Sequence, residues 1–183
     1  MPTRTLPQQT IAASTTPQPI FSTTFNGSIT AQTIAANPGY LSVLVASSAG
    51  FRAGDYVALS PGTSNFEYGK VVTVPDSTHL GLQAVRGLIY DGAIGAHSSG
   101  EFISIVFQYI NVFVQRVTGD ANIMYIGGPG VTSTSNVIAT ITGVASGQPG
   151  TWQNTCPTGK TNAAGSLWVT GTISTVYDVS FTV

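Results

Sequence analysis

Residues 41–59 read Leu41-Ser42-Val43-Leu44-Val45-Ala46-Ser47-Ser48-Ala49-Gly50-Phe51-Arg52-Ala53-Gly54-Asp55-Tyr56-Val57-Ala58-Leu59. Two short runs of β-branched, aromatic and aliphatic residues flank a segment with glycine at both ends of a Gly-x-x-x-Gly-Asp turn. Such runs suit a pleated, half-buried surface. Glycine permits the positive φ of a tight turn, and an Asp in that position bonds the backbone. The segment is therefore expected to form strand, turn, strand.

The same punctuation extends in both directions. Strands are expected at Tyr40–Ala46, Asp55–Ser60, Glu67–Val74, His79–Val85 and Glu101–Phe107. The second half adds Tyr109–Val117, Ala121–Ile126, Ser135–Val144, Leu167–Ile173 and Val176–Val183. No stretch sustains a 3.6-residue apolar period; Ile11-Ala12-Ala13 and Ile34-Ala35-Ala36 are too short for a helix. The fold class is all-β, with a small β-barrel-like module over 39–108 and a C-terminal, jelly-roll-like β-sandwich over 109–183. Residues 1–38 carry Pro2, Pro7, Pro17, Pro19 and Pro38, and proline and its neighbours favour extended backbone. They are expected to form an extended N-terminal arm.

Charge is the unusual feature. The chain has 183 residues, of which six are Lys or Arg and seven Asp or Glu, 7 % in all. Soluble domains average about 25 %. The 18 Ser and 25 Thr stand in for the missing charges. Between Thr5 and Phe51 there is none, ten lie between Arg52 and Asp120, and only Lys160 and Asp178 follow. Ionised groups keep surfaces in water, so the first 38 residues are expected to be covered by other protein; for the last 60, covering and Thr and Ser decorating the exposed faces of strands fit equally well.

Several functions lack their residues. A net charge of −1 offers no footprint for nucleic acid. The lone Cys156 allows neither a disulfide framework nor a multi-cysteine zinc site, and no metal or other cofactor is expected. The first nine residues lack the apolar stretch of a secretory signal, and no window reaches the roughly 18 apolar residues of a membrane span. No membrane association is expected.

Catalytic motifs are equally thin. Cys156-Pro157-Thr158-Gly159-Lys160-Thr161 ends like a phosphate-binding loop, but Asn154 stands where the first glycine belongs, and turn residues follow instead of a helix. Asp91, His97, Ser98 and Ser99 share a loop without a nucleophile elbow; His97 is expected to fix that loop by hydrogen bonding. His79 and His97 alone make a weak metal pair. Asp55, Glu67, Asp76 and Glu101 each have a basic residue nearby, with Glu67 expected to pair with Lys70, so a carboxylate-based enzyme is disfavoured. Catalytic and metal residues are both expected to be none.

The order of the middle segment is more specific: the apolar strand, Gly50-Phe51, Ala53-Gly54-Asp55-Tyr56-Val57, Glu67-Tyr68, Thr78-His79-Leu80-Gly81-Leu82, Arg86-Gly87 and His97. Over roughly residues 40–107 it resembles a small β-module of structural proteins from tailed bacteriophage particles, found in head-decorating, collar or tail components. The resemblance implies a virion protein, assembled in the host cytoplasm and not an enzyme. A capsid decoration (cement) protein is the favoured form, with the major capsid protein or other virion proteins as partners. A collar, neck or tail component is the alternative.

Association would then rest on Ile20, Phe21, Phe25 and Ile29 as arm anchors. Each buried apolar side chain contributes roughly 1.5–3 kcal/mol, against about 1–2 kcal/mol per residue for ordering the arm. So narrow a margin favours many copies on a cyclic axis, a homo-oligomer with the trimer preferred. A host-surface or carbohydrate-binding module is a further alternative. Among Trp152, Trp168, Tyr125 and Tyr177, it would use Trp152, expected on a loop, as a contact; Trp168 is expected in the core.

Overall fold

The computed structural model describes the backbone of residues 3–11, 14–34, 39–85, 93–108, 111–118, 123–127, 137–142, 150–155, 164–171 and 175–182. Side chains are described over 21–34, 39–85 and 93–106, together with Thr5, Pro7, Gln8, Thr10, Gln18 and Pro19.

Among the described residues the chain is all-β. In order, the strands are β1 (Thr3–Ile11), β2 (Ser14–Ile20), β3 (Ser22–Thr24), β4 (Gln32–Thr33), β5 (Leu41–Leu44), β6 (Tyr56–Leu59), β7 (Glu67–Asp76) and β8 (His79–Val85). They continue as β9 (Ala93–Ile94), β10 (Phe102–Gln108), β11 (Asn111–Thr118), β12 (Ile123–Gly127), β13 (Val137–Thr142), β14 (Gly150–Thr155), β15 (Ala164–Gly171) and β16 (Thr175–Thr182). Two compact units result: Ser22–Val106, and Met1–Phe21 with Phe107–Val183.

In the Ser22–Val106 unit an antiparallel sheet runs β10-β6-β7-β8-β5, with β3 also on β10. The Gly-x-x-x-Gly-Asp segment makes the expected turn: Gly50 and Gly54 have positive φ, and Asp55 Oδ2 accepts the Arg52 N–H at 2.8 Å. The β7–β8 turn is held similarly, Asp76 Oδ1 accepting the Thr78 N–H at 2.8 Å. The sheet curls as a half-barrel. Phe25, just past β3, bridges Val45, just past β5. The Asn26 N–H donates to the Leu44 carbonyl and the Ala46 N–H to the Thr24 carbonyl, both at 2.9 Å. Val43, Val57, Leu59, Leu80, Leu82 and Ile103 fill the interior. On β8, Gly81 leaves no room for a side chain, since a Cβ there would lie 2.5 Å from Thr73 Cγ2 and 2.7 Å from the Tyr40 ring.

The other unit has a four-stranded antiparallel sheet, β1-β16-β11-β14. In a separate sheet β12 lies between β13 and β15, and β15 also pairs with β2. The last two residues of β10, Phe107 and Gln108, pair with Gly165 and Ala164.

The ten strands expected from Tyr40 onward all appear, with ends moved by a few residues. Within residues 1–38, β1 pairs with β16, β2 with β15, β3 with β10 and β4 with β9. Prolines are compatible with this because β1 is an edge strand. The β1–β16 register shifts between Leu6 and Gln9, bracketing Pro7, which has no N–H to donate. Trp152, expected on a loop, lies within β14 opposite Val114.

Candidate functional site

Antiparallel pairing gathers three polar residues at one end of the Ser22–Val106 sheet. β6 ends at Leu59, which stands opposite Glu67 at the start of β7 and opposite Ile103 on β10. Ser60 follows directly, its N–H donating to the Phe102 carbonyl at 2.8 Å, and Glu101 precedes Phe102. A fourth residue, His97, comes from the segment between β9 and β10. It exchanges two backbone hydrogen bonds with Ile29, at 2.8 and 3.1 Å.

Ser60 adopts φ 48°, a left-handed conformation uncommon outside glycine. The Ser60–Thr63 turn holds it there: its carbonyl accepts the Thr63 N–H at 3.2 Å and the Thr63 hydroxyl at 2.8 Å. Its side chain is thereby aimed at His97 rather than along the strand.

The four side chains form one connected network. His97 Nε2 lies 2.6 Å from Glu67 Oε1, which also accepts the Gly95 N–H at 2.8 Å. His97 Nδ1 lies 2.6 Å from Ser60 Oγ and 3.1 Å from Glu101 Oε2. The Ser60 hydroxyl donates to Glu101 Oε2, and the Asn65 amide reaches Glu101 Oε1 at 3.4 Å. Phe25 stacks on the imidazole. The His97 side chain is fully buried, whereas each glutamate keeps 19 % of its side-chain exposure.

Ionised carboxylates only accept, and a serine hydroxyl has one proton to give. With the Ser60 hydroxyl donating to Glu101, a ring protonated on both nitrogens donates to Glu67 on one side and to Ser60 and Glu101 on the other. The two flanking carboxylates favour the imidazolium form of His97. Burial pushes its pKa down, but hydrogen bonds and charges from Glu67 and Glu101 outweigh it and hold the pKa above the ordinary 6.5. Burial raises Glu101, yet hydrogen bonds from Ser60, His97 and the Ser98 backbone bring it below its ordinary 4.5.

Ser60, His97 and Glu67 repeat the nucleophile–base–orienter order of a hydrolase triad, with the ring nitrogens interchanged. In this conformation Ser60 is 1 % exposed. What the arrangement does is bind chain segments together. Among the described residues no cluster of three His, Cys, Asp or Glu could hold a metal ion; the two glutamates lie on opposite nitrogens of the ring instead of converging.

The residues singled out from sequence are distributed as follows. His97 does fix its loop by hydrogen bonding, but its hydroxyl partner is Ser60, not Ser98 or Ser99. Ser99 bonds Ser28 and the Phe25 carbonyl instead. Asp91 and the Cys156–Thr161 stretch lie outside the described residues. Glu67 turns to His97 and Gly95, while Lys70 sits 5.7 Å above the Tyr56 ring. His79 pairs with Asp76 at 2.9 Å.

Of the four arm anchors, Phe21 and Phe25 are 1 % exposed, so in this conformation they present no free surface to a partner. Ile29 is half-buried, and Ile20 lies in β2 with its side chain outside the described residues. The side chains of Trp152, Trp168, Tyr125 and Tyr177 lie outside them as well.

Ser60 and Glu67 went unrecognised as partners of His97, which lies 37 and 30 residues away from them. The available signal was positional, a polar residue at the end of one strand and the start of the next, opposite each other in a hairpin. No family model matches the chain, and no curated protein matches it.

Proposed function

We propose that this chain is a structural protein of a tailed-phage particle, most plainly a capsid decoration protein seated between major capsid subunits. The observation that carries the reading is the distribution of charge, with no ionised side chain from Thr5 to Phe51 and two after Asp120. The segment Asn26–Thr33 supports it, being largely exposed yet built only from Asn, Gly, Ser, Ile, Thr, Ala and Gln. Hydroxyl- and amide-rich surface of this kind mates with similar surface without desolvating charges.

In this reading 39–108 is a barrel-like module and 109–183 a jelly-roll-like sandwich, and identical copies associate about a cyclic axis, the trimer preferred. With Phe21 and Phe25 in the core, Ile29 and the uncharged rim around it take over the anchoring role. Many weak contacts then add through effective concentration.

Deleting residues 1–38 is a poor test, because it removes β1–β4 and two core phenylalanines. The sharper test is co-sedimentation of the intact chain with purified particles at low salt and in about 1 M salt, where the Debye length falls to roughly 3 Å. Binding through uncharged surface survives the salt. Failure to sediment at either salt concentration overturns the proposal.

A further inference from the structure

Four separate stretches meet at His97, and each is held by a bond that depends on the ring's protons or on its position. Ser60 ends β6, Glu67 begins β7 and Glu101 leads into β10, while Phe25 and Ile29 belong to the segment after β3. Among the described residues the charged groups bonded to the ring are Glu67 and Glu101; Ser60 and Phe25 contribute a hydroxyl and an aromatic face. Ile29 approaches through its backbone.

We infer that Ser60, Glu67, His97 and Glu101 form a proton-gated clasp that fastens the Phe25–Ile29 segment to the sheet, and that losing one imidazole proton opens it on the Glu101 side. The inference concerns the chain's own folding and does not depend on the virion reading.

The asymmetry follows from hydrogen-bond supply. Once one proton has passed to solvent, the ring keeps the other on Nε2, where Glu67 stands at 2.6 Å and is itself fixed by the Gly95 N–H. Nδ1 then presents a lone pair. Ser60 turns its hydroxyl proton to that lone pair and away from Glu101. Glu101 loses two of its donors at once and faces a lone pair at 3.1 Å, keeping the Asn65 amide and the Ser98 backbone N–H. A poorly satisfied, partly buried carboxylate moves toward water.

Phe25 moves with it, because the Phe25 N–H donates to the Glu101 carbonyl at 3.0 Å and its carbonyl accepts the Gly100 N–H at 2.9 Å. Opening therefore loosens Phe25–Ile29 together with residues 97–101 and spares the β7–β8 hairpin.

The test is amide hydrogen exchange on the intact wild-type chain between pH 6 and 9, corrected for intrinsic exchange and run where protection reports the opening equilibrium. The His97 titration is followed in parallel by NMR, with His79→Gln used to assign the two imidazoles. The clasp predicts that opening at Phe25, Ile29, Gly100 and Glu101 rises toward tenfold per pH unit above about 6.5 and levels off past the His97 midpoint. Protection at Val71 and Leu82 should not follow it. Glu101→Gln should lower the His97 midpoint, so that opening levels off at a lower pH. Protection at Phe25 and Ile29 that stays flat through the His97 midpoint overturns the inference, as does a His97 that is already neutral at pH 6.

Discussion

The Phe25 ring lies face to face with the His97 imidazole, their centroids 5.0 Å apart and their planes 8° from parallel. Phe25 is at once a core residue, a backbone bridge to Val45 and the cover of the buried His97 ring. A residue with three attachments should be expensive to truncate. Phe25→Ala is expected to destabilise the chain by about 3–5 kcal/mol, the range for deleting a buried phenylalanine, and Phe25→Leu by clearly less. Urea unfolding of the three proteins measures the difference; a loss below about 1 kcal/mol for the alanine variant contradicts the packing described here.

Stability should peak in mildly acidic solution. The His97 pKa is raised above 6.5, so its contribution is complete below that value and is lost as pH rises toward the folded pKa. The Glu101 pKa is lowered below 4.5, so its contribution is complete above that value and is lost as pH falls toward the folded pKa. The lowered pKa of Asp76, held by the Thr78 N–H and by His79, acts in the same direction as Glu101. Urea midpoints at pH 3, 5.5 and 9 should be highest at 5.5, and His97→Gln should flatten the alkaline limb. A midpoint that climbs from pH 5.5 to 9 contradicts the charge assigned to His97.

Gly81 should resist a methyl group. Thr73 is β-branched and stiff on its strand, so the 2.5 Å approach of its Cγ2 cannot be relieved cheaply. Gly81→Ala is expected to cost about 1–3 kcal/mol, as overpacking does. Adding Thr73→Ser removes that methyl and should recover part of the loss. Thermal denaturation of the single and double variants decides it: equal melting temperatures would mean that Thr73 is not the obstacle.

Ser104 offers the opposite case. On β10, between Ala58 of β6 and Ser22 of β3, its buried Oγ has no hydrogen-bond partner among the described residues. A buried, unpaired hydroxyl costs about 1–3 kcal/mol. Ser104→Ala should therefore stabilise the chain by about 1 kcal/mol, read as a higher urea midpoint at unchanged slope; a lower midpoint contradicts it.

The strands from Tyr40 onward could be read from sequence because their signals are local: β-branched runs, with Gly, Asn and Asp at the turns. The paired state of β1 and β2 could not, because proline looks the same in a free extended segment and in an edge strand, and only the partner distinguishes them. Trp152 reads from sequence as a loop residue because Gly150 and Asn154 are turn formers, whereas pairing with β11 overrides that preference. The role of His97 in fixing its loop was legible in outline. Its partners were not, since Ser60 and Glu67 reach it only through the register of β6, β7 and β10.

The central claim is that this is a building part of a phage particle, and imaging the intact particle with this chain labelled tests it most directly. The account predicts label distributed over the head shell at copy numbers on the order of hundreds, as a decoration protein on a symmetric lattice requires. Label confined to the collar or tail axis at a multiple of six would overturn the decoration role while leaving a virion part. Particles that carry no label at all would contradict the claim itself.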